Sequence, residues 1–309
     1  MLNPSILLIN KPVGLRSTEC VQNVKKILAR GTKIGHGGTL DSTAEGLLVL
    51  LTGGATRLSR LIMSLPKTYE VRIRLGSATS TDDASGDVIA ESPWDFISTE
   101  MIDALLPGYM GWRAQIPPNI SAVHVDGKRA HEIARSGGEI ALQPKLIFIK
   151  SIRRLSDLSS EGEVSFQIEC SKGTYIRSFA RDLGEALACH AHVVFLKRCK
   201  LGTFEIGQAL PAPDVFSFSP AELQAGALPL DCLIGTLPTY EARAEEEQKL
   251  IDGVPVKLGD MFFCSYGSFY LNEEILVRGN RLLSLCALKI MQGSYWVRPQ
   301  TNIIRESIA

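Results

Sequence analysis

One carboxylate in this sequence stands where a ligand can reach it. Asp41 follows a glycine-rich loop, GHGGTL at residues 35–40, and precedes an apolar run at residues 47–51. Glycine lets a ligand approach the backbone closely, whereas a short Leu/Val run is typical of an element fixed in a core. An ordered glycine also costs roughly 0.5–1 kcal/mol relative to alanine. These residues predict that the loop holds Asp41, with His36 nearby, toward a bound ligand.

A structural alternative is that Asp41 caps a helix. Asp, Ser and Thr are all favoured at helix starts, and Asp41-Ser42-Thr43 stands directly before residues 44–51. A cap requires neither His36 nor the glycines at 35, 37 and 38. On spacing alone, both interpretations stay open.

The elements that must position this loop are a mixture of strands and helices. Apolar or alternating runs predict strands at residues 6–9, 68–75 and 164–170. A helical apolar spacing follows Ser17-Thr18, which are expected to cap that helix, and a second helical pattern covers residues 175–188. Because strands and helices do not alternate strictly, the predicted class is α+β with a mostly antiparallel mixed sheet flanked by helices.

The pattern changes near residue 217 and predicts a second domain. A Pro/Gly-punctuated connection leads to an acidic helix near residues 241–250. Short strands are then predicted around residues 256, 261–264, 275–277, 282–290 and 295–298. We expect a large domain over residues 1–237 and a small β-rich domain over residues 238–309.

Composition limits the class of protein. With 45% hydrophobic and 21% charged residues the chain is typical of a soluble globular protein, and its apolar runs are far shorter than the roughly 18 residues of a membrane span. No signal peptide is evident, so a cytoplasmic location is expected. Seven scattered cysteines and the isolated pair His190/His192 favour neither a disulfide framework nor a metal site.

The formal net charge of zero gives no global sign of a nucleic-acid partner. Its distribution is uneven, because basic residues gather in two regions that could form local phosphate-binding faces. These residues are Lys172, Arg177, Arg181, Lys197, Arg198 and Lys200 in one region, and Lys128, Arg129 and Arg135 in the other.

Five segments in order resemble the TruB-type tRNA pseudouridine synthases. They are GHGGTLD at 35–41, KTYEVRIRLG at 67–76, TSTDDASGD at 79–87, QIPPNISAVHVDGKRAHEIARSG at 115–137 and CSKGTYIRSFARDLGEALACHAHVVFLKR at 170–198. Any one is weak, but five in the family's order across two-thirds of the chain are a specific signal.

The resemblance implies a reaction, a substrate and a fold. The reaction would convert the uridine at position 55, in the T-loop of tRNA, to pseudouridine by breaking the bond to nitrogen 1 and re-forming it at carbon 5. It implies no cofactor and no metal. The fold would be a pseudouridine synthase domain whose insertion at about 115–138 grips the T-arm, followed by a PUA-like RNA-binding domain.

The resemblance also implies roles for particular residues. Asp41 would be the essential catalytic carboxylate, and Arg177 would pair with it. Tyr69 would pack on the uracil and assist removal of the proton from carbon 5, while Tyr175 and Leu196 would line the uridine pocket. His36 would stack against bases as the uridine leaves its stack. The candidates for contact with the RNA backbone are Lys128, Arg129, Arg135, Lys172, Lys197 and Arg198.

Two residues depart from the family pattern. Ser42 stands where proline is common, and Glu45 adds a carboxylate four positions after Asp41. Like charges on one helical face would repel and raise a carboxylate pKa. We expect Glu45 to point instead toward a basic side chain or solvent.

Other functions are compatible with the same residues. The chain could act chiefly as a tRNA-folding chaperone, or belong to the guide-RNA-dependent branch of the superfamily. The absence of long basic extensions favours a stand-alone enzyme, with a monomer preferred and no obligatory protein partner. A hydrolase using Asp41 lacks a matched second carboxylate.

Overall fold

The computed structural model describes residues 4–118, 142–258, 274–291 and 294–304, together with the backbone of residues 124–125 and 128–129. The strands are β1 Ser5–Lys11, β2 Ile34–His36, β3 Glu45–Thr52, β4 Lys67–Leu75, β5 Ser77–Thr79, β6 Val88–Glu91, β7 Gly111–Gln115, β8 His124–Val125, β9 Lys128–Arg129, β10 Lys145–Arg154, β11 Glu163–Cys170, β12 Ala191–Leu201, β13 Phe204–Glu205, β14 Leu210–Pro211, β15 Leu228–Pro229, β16 Thr239–Glu241, β17 Val256–Lys257, β18 Glu274–Arg278, β19 Leu282–Met291 and β20 Ser294–Ile304. The α-helices are α1 Ser17–Ile27, α2 Ser59–Ser64, α3 Thr99–Leu105, α4 Ile176–Ala186, α5 Ala212–Val215, α6 Pro220–Ala225 and α7 Ala244–Ile251, and short 3₁₀ turns cover Gly53–Leu58, Leu106–Tyr109, Ile206–Gln208 and Leu230–Leu233.

A large mixed sheet organises the first part of the chain. Its strands lie in the order β14-β1-β3-β12-β4-β11-β10-β7, with β2, β13 and β15 attached at its sides. Most neighbours are antiparallel, whereas β1 with β14 and β3 with β12 are parallel. The predicted α+β class with a mostly antiparallel mixed sheet is confirmed.

The apolar run after Asp41 forms the central strand β3, so the helix-cap interpretation is wrong. β3 pairs with β1, β2 and β12, and residues 47–51 are fully buried. A strand covered on both faces has an apolar residue at every position rather than at alternate ones. Asp41 lies in the turn before this strand, where the Ala44 amide donates to the Asp41 carbonyl at 3.1 Å.

Helix α4 covers one face of the large sheet, where a helix was predicted. Its apolar side places Phe179 and Leu183 against Phe166 and Val164 of β11. The rings of Phe166 and Phe179 meet edge to face at 6.0 Å. This packing fixes the helix with Arg177 of its first turn in contact with Asp41, which precedes β3.

A second, five-stranded sheet follows, with the order β16-β18-β19-β20-β17. The predicted acidic helix is α7, and the predicted strands around 256, 275–277, 282–290 and 295–298 are present. The predicted strand at 261–264 and most of the insertion at 115–138 lie outside the described residues. The exact domain boundary and the PUA-like identity of this sheet stay predictions.

One face of the second sheet shares a core with the first. Leu276, Leu283 and Leu285 join a buried cluster that contains Ile6 and Leu51 of the large sheet. An ion pair between Arg278 and Asp231, at 3.3 Å, lies at the same junction. None of the described helices is long and apolar enough to cross a bilayer.

Candidate active site

The Asp41 loop is held from both sides by hydrogen bonds. Ser17 Oγ donates to the Leu40 carbonyl at 3.0 Å and accepts from the Leu40 amide at 2.9 Å, and the Gly14 amide donates to the Ser42 carbonyl at 2.8 Å. The expectation that Ser17 or Thr18 caps α1 is therefore wrong, because Arg16 is the N-cap and Ser17 holds the loop. Asp41 itself keeps 46% of its side chain exposed.

Arg177 meets Asp41 across the chain. Its Nε lies 3.0 Å from Asp41 Oδ2, and its side chain is only 8% exposed. Nη1 donates to the Thr81 carbonyl at 2.8 Å, and Asp83 Oδ2 lies 3.9 Å from Nε. A charge-assisted contact to a buried cation orients the Asp41 carboxylate.

Asp83 is a site residue to which the sequence gave no role. It is buried, and it accepts hydrogen bonds at 2.6 Å from both Thr81 Oγ1 and Ser85 Oγ, and at 3.1 Å from Thr43 Oγ1. Burial alone would raise its pKa, but the hydrogen bonds from Ser85 and Thr81, with the nearby Arg177, hold the pKa below its usual range. The signal was the density of Ser and Thr around two adjacent carboxylates in TSTDDASGD.

The loop that carries Asp83 has a special backbone. Asp82 adopts a left-handed conformation, with φ of 59°, and its carboxylate pairs with Arg181 Nη1 at 3.2 Å. Aspartate is one of the few residue types that tolerate this conformation. Arg177 and Arg181, one turn apart on α4, thus pair with consecutive aspartates of one loop.

A cleft of about 220 Å³ opens beside these charges, lined by Arg177, Thr43, Asp83, Phe195 and Leu196 among others. Its mixed lining suits a flat polar ring, because the aliphatic wall can pack on the faces while the charged end can pair with polar groups. Leu196 lines this cleft, and its role as a wall of a uridine pocket stays a prediction.

Tyr69 and Tyr175, the two tyrosines assigned to the pocket by the resemblance, lie on different elements. Tyr69 lies on β4, directly opposite Arg198 of β12, with which it shares a side-chain hydrogen bond. Burial raises the pKa of Tyr69, and Arg198 partly offsets the rise, so the hydroxyl is protonated at neutral pH. Tyr175 is the N-cap residue of α4, two positions before Arg177.

Arg198 differs from its predicted place on an RNA-binding surface. Its side chain is buried and donates to the carbonyls of Leu47, Thr39 and Gly38 at 2.8, 3.3 and 3.1 Å. The guanidinium thus holds the glycine-rich loop against β3. In this structure it is not available to an RNA backbone.

His36 ends β2 and stands half-buried beside the same loop. Its Nδ1 accepts from the Gly38 amide at 3.3 Å. Burial, together with the charge of Arg198, lowers the pKa of His36. The ring is therefore neutral at physiological pH, which suits stacking on a base better than pairing with a phosphate.

The remaining basic candidates lie in different surroundings. Lys197 Nζ stands 3.8 Å from Glu45 Oε1, so Glu45 points toward a basic side chain as expected. Lys172 is exposed. The side chains of Lys128 and Arg129, and all of Arg135, lie outside the described residues.

Lys11 is a buried cation near Asp41 that sequence reasoning did not assign. Its ammonium donates to the carbonyls of Pro12, Leu15 and Ala44 at 2.9, 2.8 and 2.5 Å. Burial lowers its pKa, and the nearby Cys20 and Asp41 act in the opposite direction. The signal was a lysine at the end of an apolar strand, directly before proline.

The described residues offer no group of three His, Cys, Asp or Glu side chains that could hold a metal ion. The charged groups brought together here are the carboxylates of Asp41 and Asp83 and the Arg177 guanidinium between them. Such a set can deliver a nucleophile or a base to a bound ring and hold that ring in place.

Comparison with solved structures assigns the fold to the pseudouridine synthases. The crystal structure of a Cbf5-Nop10-Gar1 complex contains a chain that matches 98% of this one and 85% of its own length, with a TM-score of 0.69 at 20% identity. A second match, the archaeal box H/ACA sRNP Nop10-Cbf5 complex, covers 99% of this chain with a TM-score of 0.68.

Sequence comparison gives the particular family. The model of the TruB family pseudouridylate synthase (N terminal domain) matches residues 25–176. The tRNA pseudouridine synthase B of Cereibacter sphaeroides is 39% identical over 250 residues, which cover 81% of this chain and 82% of that protein. The one of Ralstonia nicotianae is 38% identical over 302 residues, covering 96% and 92%. The chain belongs to the TruB family of pseudouridylate synthases.

Proposed function

We propose that this protein converts the uridine at position 55 of tRNA to pseudouridine, without a guide RNA or an obligatory protein partner. The observation that carries the proposal is the 3.0 Å contact between Asp41 and Arg177, whose side chain also lines the cleft. The relatives named tRNA pseudouridine synthase B support tRNA as the substrate.

The reaction breaks the bond between C1′ of the ribose and N1 of uracil and forms a new bond from C1′ to C5. Asp41 is the group that starts it, by attack on the ribose or the base or by elimination to a glycal. In each version the carboxylate must be ionised, and the Arg177 guanidinium, 3.0 Å away, orients it. The proton on C5 then leaves and N1, freed from the ribose, takes up a proton, so the product is an isomer of uridine and no net oxidation or reduction occurs.

The uridine has to leave its stack to reach this carboxylate. Extrusion of a nucleotide costs a few kcal/mol, which stacking and phosphate contacts must offset. His36, neutral and half-buried on the rim, is the candidate to stack in the RNA. Tyr69, Tyr175 and Leu196 would hold the extruded uracil, and the exposed Lys172 would contact the RNA backbone.

The test is incubation of the purified protein alone with an unmodified tRNA transcript, followed by mapping of pseudouridine at single-nucleotide resolution. We expect modification at position 55, and a transcript with cytidine at that position should stay unmodified. A requirement for an added guide RNA or protein would contradict the stand-alone function.

A further inference from the structure

Gln115 makes an unusual pair of hydrogen bonds to one residue of the site. It is the last residue of the edge strand β7, and it is 3% exposed. Its Nε2 donates to the Tyr175 carbonyl at 3.0 Å, and its Oε1 accepts from the Tyr175 amide at 2.9 Å. One side-chain amide therefore replaces a neighbouring strand as the partner of both polar backbone groups of Tyr175.

This pairing restricts the backbone conformation of Tyr175. Tyr175 is the N-cap of α4, so its backbone is extended, with φ of −102° and ψ of 112°, rather than helical. Its carbonyl also accepts the first helical hydrogen bond, from the Phe179 amide at 3.1 Å. With its amide and both acceptor sites of its carbonyl in use, Tyr175 cannot rotate its backbone without losing these hydrogen bonds, which are partly shielded from water.

We infer that Gln115 is a positioning residue that sets the direction in which the Tyr175 ring enters the uridine pocket, an inference that rests on the proposed function. Tyr175 stands two positions before Arg177, so the hydrogen bonds from Gln115 also act close to that arginine. Only glutamine supplies a donor and an acceptor at this reach: glutamate offers acceptors alone, and methionine offers a similar length without a comparable donor or acceptor.

The chain offers a matched control at the same junction. Ser178 Oγ donates to the Ile116 carbonyl at 2.8 Å, so it too joins α4 to the end of β7, and Ser178 is fully buried. Its hydrogen bond does not involve Tyr175. Ser178→Ala therefore measures the general effect of weakening this junction.

The first test is single-turnover pseudouridine formation with saturating enzyme. Gln115→Met should lower the rate about tenfold with tRNA affinity within about twofold, because a misdirected ring weakens positioning more than binding. Ser178→Ala should lower the rate by less than about twofold. Equal rate losses in both variants, or an unchanged rate in Gln115→Met, would overturn the inference.

A double-variant cycle separates positioning from general stability. Tyr175→Leu should lower the rate of pseudouridine formation by removing the ring. Adding Gln115→Met to Tyr175→Leu should lower that rate by less than about a further twofold, because no ring is left to position. A full additional tenfold loss would show that Gln115 acts elsewhere.

Hydrogen exchange at the Tyr175 amide supplies a readout that needs no RNA. Gln115→Met should speed exchange at this amide by at least about tenfold, while Ser178→Ala leaves it near the wild-type rate. Unchanged exchange in Gln115→Met would overturn the link to Tyr175. Because no activity is involved, this result tests the tie between Gln115 and Tyr175 even if the wild-type protein modifies no tRNA, and so separates failure of the tie from failure of the proposed function.

Discussion

At the scale of single residues, the site is a row of three charged side chains, Asp83, Arg177 and Asp41. Asp83 is buried and ionised, Arg177 lies between the two carboxylates, and the Asp41 side chain is 46% exposed. The buried carboxylate helps to hold the arginine, and the arginine orients the exposed carboxylate. Substitution of Asp83 or Arg177 should therefore impair the function of Asp41, although Asp41 itself is unchanged.

Asp83→Asn tests this arrangement. It removes the charge that faces Arg177 and should lower the rate of pseudouridine formation by about 10²-fold, because the catalytic pair loses its orientation. Single-turnover kinetics and tRNA binding would measure the effect, with binding expected within a few-fold. A rate within twofold of wild type would contradict a role for Asp83.

The same substitution predicts a dependence of stability on pH. The folded state lowers the pKa of Asp83, so the ionised carboxylate stabilises the protein above the unfolded pKa, near 4. This stabilisation is lost as the pH falls through the lower folded value. Urea unfolding should show a gap between wild type and Asp83→Asn at pH 7 that shrinks below about pH 4. A gap independent of pH would contradict the assignment.

Tyr69 combines packing with a hydroxyl group that Arg198 contacts. Tyr69→Phe keeps the aromatic face and should still lower the rate by about 10²-fold if the hydroxyl assists proton removal from C5. Tyr69→Leu also removes the aromatic face, and it should in addition weaken tRNA binding. A Tyr69→Phe variant with the wild-type rate would limit Tyr69 to packing.

At the scale of elements, the close approach of β3 and β12 positions the loop. Gly46, on β3, has φ of 108°, and a Cβ atom added there would collide with the Arg198 backbone. The side chain of that same Arg198 holds the carbonyls of the glycine-rich loop. Strand pairing and loop position are thus coupled through one residue.

Gly46→Ala should therefore lower both stability and activity. The left-handed conformation and the collision together should cost at least about 2 kcal/mol of unfolding free energy. Gly207→Ala is the control, because Gly207 lies in open space without a positive φ. Equal unfolding midpoints in urea for the two variants would contradict this account.

Sequence patterns predicted the elements better than they predicted the contacts between them. Periodicity located β1, β4, β11 and α4, because each buries one face or a continuous apolar run. Periodicity did not decide whether residues 44–51 form a helix or a strand, because the burial of β3 on both faces depends on the neighbouring strands.

The candidate site was predicted as far as the resemblance reached. Asp41, Arg177 and Leu196 came from matched motifs, and their proximity follows from strand pairing that no local pattern encodes. Arg198 was assigned to the surface, because a charged residue is seldom fully buried unless it is paired or hydrogen-bonded. Asp83, Lys11 and Gln115 received no role, since their importance rests on contacts made across the fold.

At the scale of the whole molecule, the two sheets are joined by a common apolar core. Leu283 and Leu285 of the second sheet pack in the cluster that holds Ile6 and Leu51 of the first. Because apolar side chains from both sheets are buried in one cluster, unfolding of one sheet would expose apolar area of the other to water and destabilise it. The two parts should therefore unfold together.

Leu285→Ala tests this coupling. It should lower the unfolding free energy by about 2–5 kcal/mol and shift one cooperative transition in calorimetry. The exposed Ile290, on the same strand, is the control, and Ile290→Ala should leave the transition near the wild-type midpoint. A separate early transition, with the main one unchanged, would show that the second sheet unfolds independently.

The central claim is that Asp41, held by Arg177, starts the isomerisation of a tRNA uridine. The most direct measurement compares wild type with Asp41→Asn on one unmodified tRNA transcript, recording pseudouridine at position 55 and the Kd for tRNA. Asp41→Asn keeps the size of the side chain and removes its charge, so product should be abolished while the Kd stays within a few-fold. Substantial pseudouridine formation by Asp41→Asn would contradict the account.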